Sequence, residues 1–109
     1  MAKGLGDMMK QLQKMQVKMA EMQGELEQMK VEGSSGGGMV KATLNGKQEL
    51  LEIHIDPEVI DKDEKEMLEE LVVAAVTAAR EKAVELQQEK MSELTGGLPI
   101  PGMGGGLPF

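Results

Sequence analysis

Few residues in this chain are of a type that could carry chemistry. His54 is the single histidine among 109 residues, and Cys, Trp and Tyr are absent. Nucleophilic catalysis needs an activated Ser, Thr or Lys beside an oriented base, and no motif supplies that pairing. A lone imidazole with no thiolate cannot build a transition-metal site, and no carboxylates are spaced to replace the missing ligands. Neither a metal nor a cofactor is expected. The run Gly33-Ser34-Ser35-Gly36-Gly37-Gly38 invites comparison with a phosphate loop, which requires Gly-x-x-x-x-Gly-Lys-Ser/Thr between a strand and a helix. Here the glycines follow a helical pattern and precede a strand pattern, so they read as a hairpin turn. The carboxylates between Asp56 and Glu70 could do acid–base work only in a pocket that drives their pKa values apart. At the start of a helix they read as solubilising charges matched to the helix dipole. Neither an enzyme nor a small-molecule substrate is expected.

The lysines are a stronger signal. Lys10, Lys14 and Lys18 recur at i, i+4 and i+8, which draws one slowly turning stripe along a helix. With Lys3, and against Asp7, they give residues 1–20 a net charge of +3, whereas residues 56–70 carry −6 and the whole chain −7. An overall acidic chain is not a general nucleic-acid binder, yet one end of this one is basic. The only aromatic is Phe109, so base stacking is excluded. Any nucleic-acid contact would be to phosphates, reading duplex shape rather than sequence, with Lys3, Lys10, Lys14 and Lys18 as the expected contacts. Arg80, Lys82 and Lys90 are weaker candidates for the same work.

The elements that must position these residues are legible from periodicity. Leu5, Met8, Leu12, Met15, Met19, Met22, Leu26 and Met29 alternate spacings of three and four, an unbroken heptad. This predicts a first helix about 37 Å long, with Asp7 in its first turn and Lys30 in its last. Val31–Ser35 suits a short strand. Val40–Leu44 and Lys47–Ile55 flank Asn45-Gly46, the signature of a two-residue type I′ hairpin, which pairs Val40 with Leu51. Val40, Ala42, Leu44, Leu51, Ile53 and Ile55 then share the dry face; Lys41, Thr43, Gln48, Glu52 and His54 take the wet one. Asp56-Pro57 ends the strand, Asp61-x-x-Glu64 resembles a capping box, and a second helix runs to about Leu94. Its inner stripe is Leu68, Val72, Ala75, Ala79, Ala83, Leu86 and Leu94.

One α+β domain over residues 1–95 follows, with a Gly/Pro-rich tail over 96–109 expected to be disordered. No apolar run is long enough to span a bilayer and no signal peptide is evident, so the cytoplasm is the expected compartment, with no membrane partner. With Met at 11 positions and no internal aromatic, the core is thin. The seam Leu12, Met15, Met19, Met22 and Leu26, with Val72, Ala75 and Ala79, is read as packing surface. The second helix can cover only part of it, so a homodimer is expected.

Several segments resemble the YbaB/EbfC family of bacterial nucleoid-associated proteins. They are Gly36–Gly46 (GGGMVKATLNG), Ile53–Pro57 (IHIDP), Asp63–Val72 (DEKEMLEELV), Ala74-Ala75, and Glu89-Lys90-Met91 ahead of Gly96-Gly97-Leu98-Pro99. With the methionine-rich first helix they span nearly the whole chain; Gly102-Met103-Gly104-Gly105-Gly106 departs from the pattern. The resemblance implies two long helices flanking a small antiparallel sheet, a tweezer-like homodimer gripping duplex DNA, and a role in nucleoid organisation and gene expression without catalysis. The alternatives are a holdase-like client-binding module, since prefoldin subunits are also helix–hairpin–helix, and a dimeric adaptor. Deleting residues 96–109 is expected to leave the melting temperature nearly unchanged, since such a segment packs little. A large drop in a thermal melt would contradict this.

Overall fold

The unbroken heptad winds into α1 (Ala2–Gln28), a 27-residue helix in a computed structural model that describes residues 2–94, with side chains from residue 4. It is followed by β1 (Lys30–Ser35), β2 (Val40–Asn45), β3 (Leu50–Ile55) and α2 (Lys65–Leu94). The strands form an antiparallel meander in the order β1-β2-β3, so the α+β class read from the sequence is the observed one. The proposed tail lies outside the described residues.

Small residues bring α2 onto the sheet. Ala75, Ala79 and Ala83 recur every fourth position and are completely buried. With Val40, Ala42 and Leu44, Ala75 and Ala79 form the core, flanked by Val31, Ile53, Ile55, Leu68, Leu71 and Val72. The closest approach is at Gly33, which pairs with Ala42 across the ladder. A methyl group added there would be driven into the backbone of Ala78 and Ala79 and lie 2.5 Å from the Ala75 carbonyl oxygen. The Gly36-Gly37-Gly38 run that turns β1 into β2 has positive φ at all three positions, a conformation that glycine alone adopts freely. Ser35 Oγ then donates to the Leu71 carbonyl at 2.6 Å, pinning the end of β1 to the first turns of α2.

The Asn-Gly turn departs from expectation. Val40 pairs with Ile55 rather than Leu51, and Leu44 with Leu50, with a register shift after Thr43. The connection is a longer loop held by Asn45. Its Oδ1 accepts from the N–H groups of Lys47 at 2.9 Å and Glu49 at 3.0 Å, while its Nδ2 donates to Glu49 Oε1 at 2.7 Å. A type I′ turn requires positive φ at both central residues, but here Gln48 is the residue with positive φ in this loop. The cause is a competing use of Gly46, whose N–H donates to the carbonyls of Leu26 at 2.8 Å and Met29 at 3.1 Å. Carbonyls left over at the C-terminus of α1 are thereby satisfied. Because the register from Val40 to Thr43 moved by four residues, Val40, Ala42, Ile53 and Ile55 keep the face assigned to them, and Leu44, beyond the irregularity, stays buried. Leu51, left unmatched between Leu50 and Glu52, is half exposed instead.

The helix ends also differ from the sequence reading. α1 starts at Ala2, so Asp7 lies beyond its first turn, and Lys30 opens β1 rather than closing the helix. Asp61 does cap, but it caps a single tight turn over Lys62–Glu64: Oδ1 accepts from the Asp63 N–H at 2.9 Å, and α2 starts at Lys65. Asp56 does the same for the turn opened by Pro57.

Gly33→Ala should be among the most destabilising single substitutions, near the upper end of about 1–3 kcal/mol for overpacking, because its methyl group meets backbone rather than a mobile side chain. Urea denaturation should show a lower midpoint at unchanged slope. An unchanged midpoint would mean that α2 does not sit this close to β1.

Candidate nucleic-acid interface

The contacts along α2 fix the placement of the charged surfaces. From its N-terminus onward, α2 meets Ser35 at Leu71, the Glu32 carbonyl at Lys82, Gln48 at Gln87 and Glu25 at Lys90. It therefore runs antiparallel to β1, and the C-terminal end of α1 lies beside the C-terminal end of α2. The rest of α1 continues past that junction as an arm. Leu26 and Met22 are buried at its root, whereas Leu12 is 62% exposed, Met15 44% and Met19 37%. The heptad seam thus divides: Met22 and Leu26, with Val72, Ala75 and Ala79 on α2, pack within the chain, and Leu12, Met15 and Met19 face outward. Met9 and Val17, which lie off the heptad, are also exposed.

Lys10, Lys14 and Lys18 share one face of the arm with Gln13, Val17 and Glu21, lining a shallow groove. All three lysines are exposed, and no ion pair or hydrogen bond engages them among the described residues. The stripe is about 12 Å long, enough to run beside roughly three to four phosphates of one strand at 3.4 Å per charge. The side chain of Lys3 lies outside the described ones.

The second-helix candidates divide as well. Arg80 is exposed in a shallow groove with Thr77, Glu81, Val84 and Glu85. Lys82 Nζ donates to the Glu32 carbonyl at 2.7 Å. Lys90 Nζ lies 3.0 Å from Glu25 Oε2 and 3.5 Å from Glu93 Oε2. The hydrogen bond to Glu25 raises the Lys90 pKa above its ordinary 10.5, against a smaller opposing effect of burial. Lys82 and Lys90 are thus already engaged by contacts within the chain. The Glu25–Lys90 pair spans 65 residues of sequence, and no local spacing marks it. It could have been found only by aligning the two helices.

The acidic segment from Asp56 to Glu70 lies at the other end. About 28 Å of helix separates Leu71 from Lys90, several times the Debye length of about 8 Å at physiological salt. Its carboxylates are therefore screened from the lysine stripe. Among the described residues no cluster of His, Asp and Glu is grouped to hold a metal ion, and no helix is long and apolar enough to cross a membrane.

The chain is thus an α+β fold whose projecting helix carries an exposed lysine stripe, remote from the acidic segment. The chain belongs to the YbaB/EbfC DNA-binding family, whose profile matches residues 1–98. It is 52% identical to a nucleoid-associated protein of Caldanaerobacter subterraneus, over 91% of this chain and 89% of that one. It is 50% identical to a nucleoid-associated protein of Granulibacter bethesdensis over 98% of this chain and 99% of the relative. An uncharacterised protein of Helicobacter pylori, 23% identical, shares the fold with a TM-score of 0.71, covering 84% of this chain and 94% of that one.

Lys90→Gln tests the division among the basic residues. Because its folded-state pKa is raised, the stabilisation from this pair is complete below the unfolded value and is lost as pH rises through the folded one. The difference in denaturation midpoint between the parent and Lys90→Gln should be constant between about pH 6 and pH 9 and shrink only above about 10.5. Loss of that difference near neutrality would mean that another group is responsible.

Proposed function

We propose that this protein binds duplex DNA as a homodimer, mainly through phosphate contacts and with low sequence selectivity, and thereby takes part in nucleoid organisation and gene expression in the cytoplasm. The observation that carries the reading is the stripe Lys10, Lys14 and Lys18, exposed on a projecting arm and unengaged by the protein's own carboxylates. Arg80 is the next candidate contact, followed by Lys3, Lys82 and Lys90. The family match and the names of the relatives support the DNA partner. The homodimer is supported by the arm itself. Leu5, Met8, Leu12, Met15 and Met19 present an apolar seam to water, and a facing copy of the same heptad is its natural cover. Two arms would then offer two lysine stripes, and nothing in this arrangement calls for a catalytic role, a cofactor or a small-molecule substrate.

The same exposed seam favours a second reading, a client-binding module that covers apolar segments of other proteins, for which flexible methionines are well suited. The two readings separate on one experiment. Lysines bind duplex by releasing condensed counterions, so six phosphate contacts, three per protomer, give a slope of log K against log salt of about −5. The variant Lys10→Gln/Lys14→Gln/Lys18→Gln retains helix propensity and should keep its fold by circular dichroism. Anisotropy titrations should show weaker binding to every duplex alike and a slope flattened by several units. Parental affinity and slope in the variant would move the interface to Arg80 and its neighbours. No duplex binding by the parent, even at low salt, would leave the client-binding reading in its place.

A further inference from the structure

We propose that Met8, Met15 and Met19 are oxidation sites through which hydrogen peroxide dissolves self-association of the arm; the inference rests on the homodimer reading above. One of the two seam positions is methionine at every heptad, Met8, Met15, Met22 and Met29, and Met19 adds a thioether in the other. Their exposure in the protomer is graded. Met8 is 62% exposed, Met15 44% and Met19 37%, while Met22, at the root of the arm, is 6% exposed. Thioether oxidation follows access to the sulfur, so the arm sulfurs react and Met22 is shielded.

The chemistry is a two-electron transfer. A sulfur lone pair attacks one peroxide oxygen, the O–O bond breaks as the S–O bond forms, and the remaining oxygen leaves as water with both hydrogens. Sulfur is oxidised to the sulfoxide and the peroxide is reduced. The product places a polar S=O on a seam that must be apolar to pair, and burying it without a hydrogen-bond donor is unfavourable. The lysines on the arm are untouched, so what changes is the pairing of the two stripes. Pairing and oxidation then compete by mass action: the seam sulfurs are accessible in the separated protomer and covered in the pair. Met67, 46% exposed on α2, lies next to the acidic ledge at the other end of the protomer and is an internal reference whose reactivity does not follow pairing.

The full-length protein is treated with hydrogen peroxide, then assayed by light scattering and by mass spectrometry of its peptides. Before treatment the scattering mass should be about twice 11.8 kDa; a monomer at this stage would overturn the homodimer reading and the inference with it. After treatment Met8, Met15, Met19, Met67 and the off-seam Met9 should carry sulfoxide, Met22 should not, and the mass should fall to that of one chain. Oxidation of the three seam residues should slow as protein concentration rises, with no such trend at Met67. The variant Met8→Leu/Met15→Leu/Met19→Leu, in which volume is nearly conserved, should stay dimeric after the same exposure although Met67 is oxidised. A dimer that persists with all three seam residues oxidised would overturn the inference, as would dissociation of the leucine variant.

Discussion

The architecture depends on one close approach: the backbone of α2 lies almost directly on β1, with Gly33 beneath Ala75, Ala78 and Ala79. Only residues with little or no side chain permit it. Packing this tight buries Val40, Ala42, Leu44 and the alanine stripe completely, at the cost of core volume. A core built on three alanines, Val40, Ala42 and Leu44 holds no aromatic side chain and is too narrow to extend over a second helix. The seam of α1 is consequently covered only where it passes the end of α2, at Met22 and Leu26.

What remains of α1 is an arm, and its direction is set by two anchors at its root. The N–H of Gly46 closes the last turn of the helix by donating to Leu26 and Met29, and Lys90 clasps Glu25. Both lie at the end of the sheet opposite the Asp56–Glu70 ledge. The geometry therefore separates the charges of an acidic protein: eight of its nineteen carboxylates gather in the segment at one end, and a short stripe of lysines is held at the other. A net charge of −7 is compatible with binding a polyanion because the two surfaces are farther apart than screened electrostatics reaches. The thin core, the unpaired seam and the unengaged lysines follow from the same packing choice.

Much of this was legible in the sequence, for identifiable reasons. The heptad of α1 and the alanine stripe of α2 are long periodic signals, and both helices lie where those signals put them. The wet and dry faces of β2 and β3 also hold except at Leu51 and Gln48, because alternation from Val40 to Thr43 is insensitive to a register shift of four residues. The turn type did not survive: Asn45-Gly46 carries the local preferences of a tight hairpin, yet Gly46 is taken by a helix end that local sequence does not reveal. The charged site was legible only in part. The lysine stripe is local and was read directly, whereas the engagement of Lys82 by Glu32 and of Lys90 by Glu25 joins residues 50 and 65 positions apart. Such partners become visible only when the helices are laid side by side.

The central claim is that DNA meets the arm and not the ledge, and the absence of cysteine from the chain makes it directly testable. Gln13→Cys places a thiol among Lys10, Lys14 and Lys18, and Glu66→Cys places one on the acidic ledge, each as the single reactive group of the full-length protein. With a photoactivatable crosslinker attached and a duplex of random sequence added at low salt, the account predicts protein–DNA adducts from position 13 and background levels from position 66. Equal crosslinking from both positions, or adducts from position 66 alone, would contradict it.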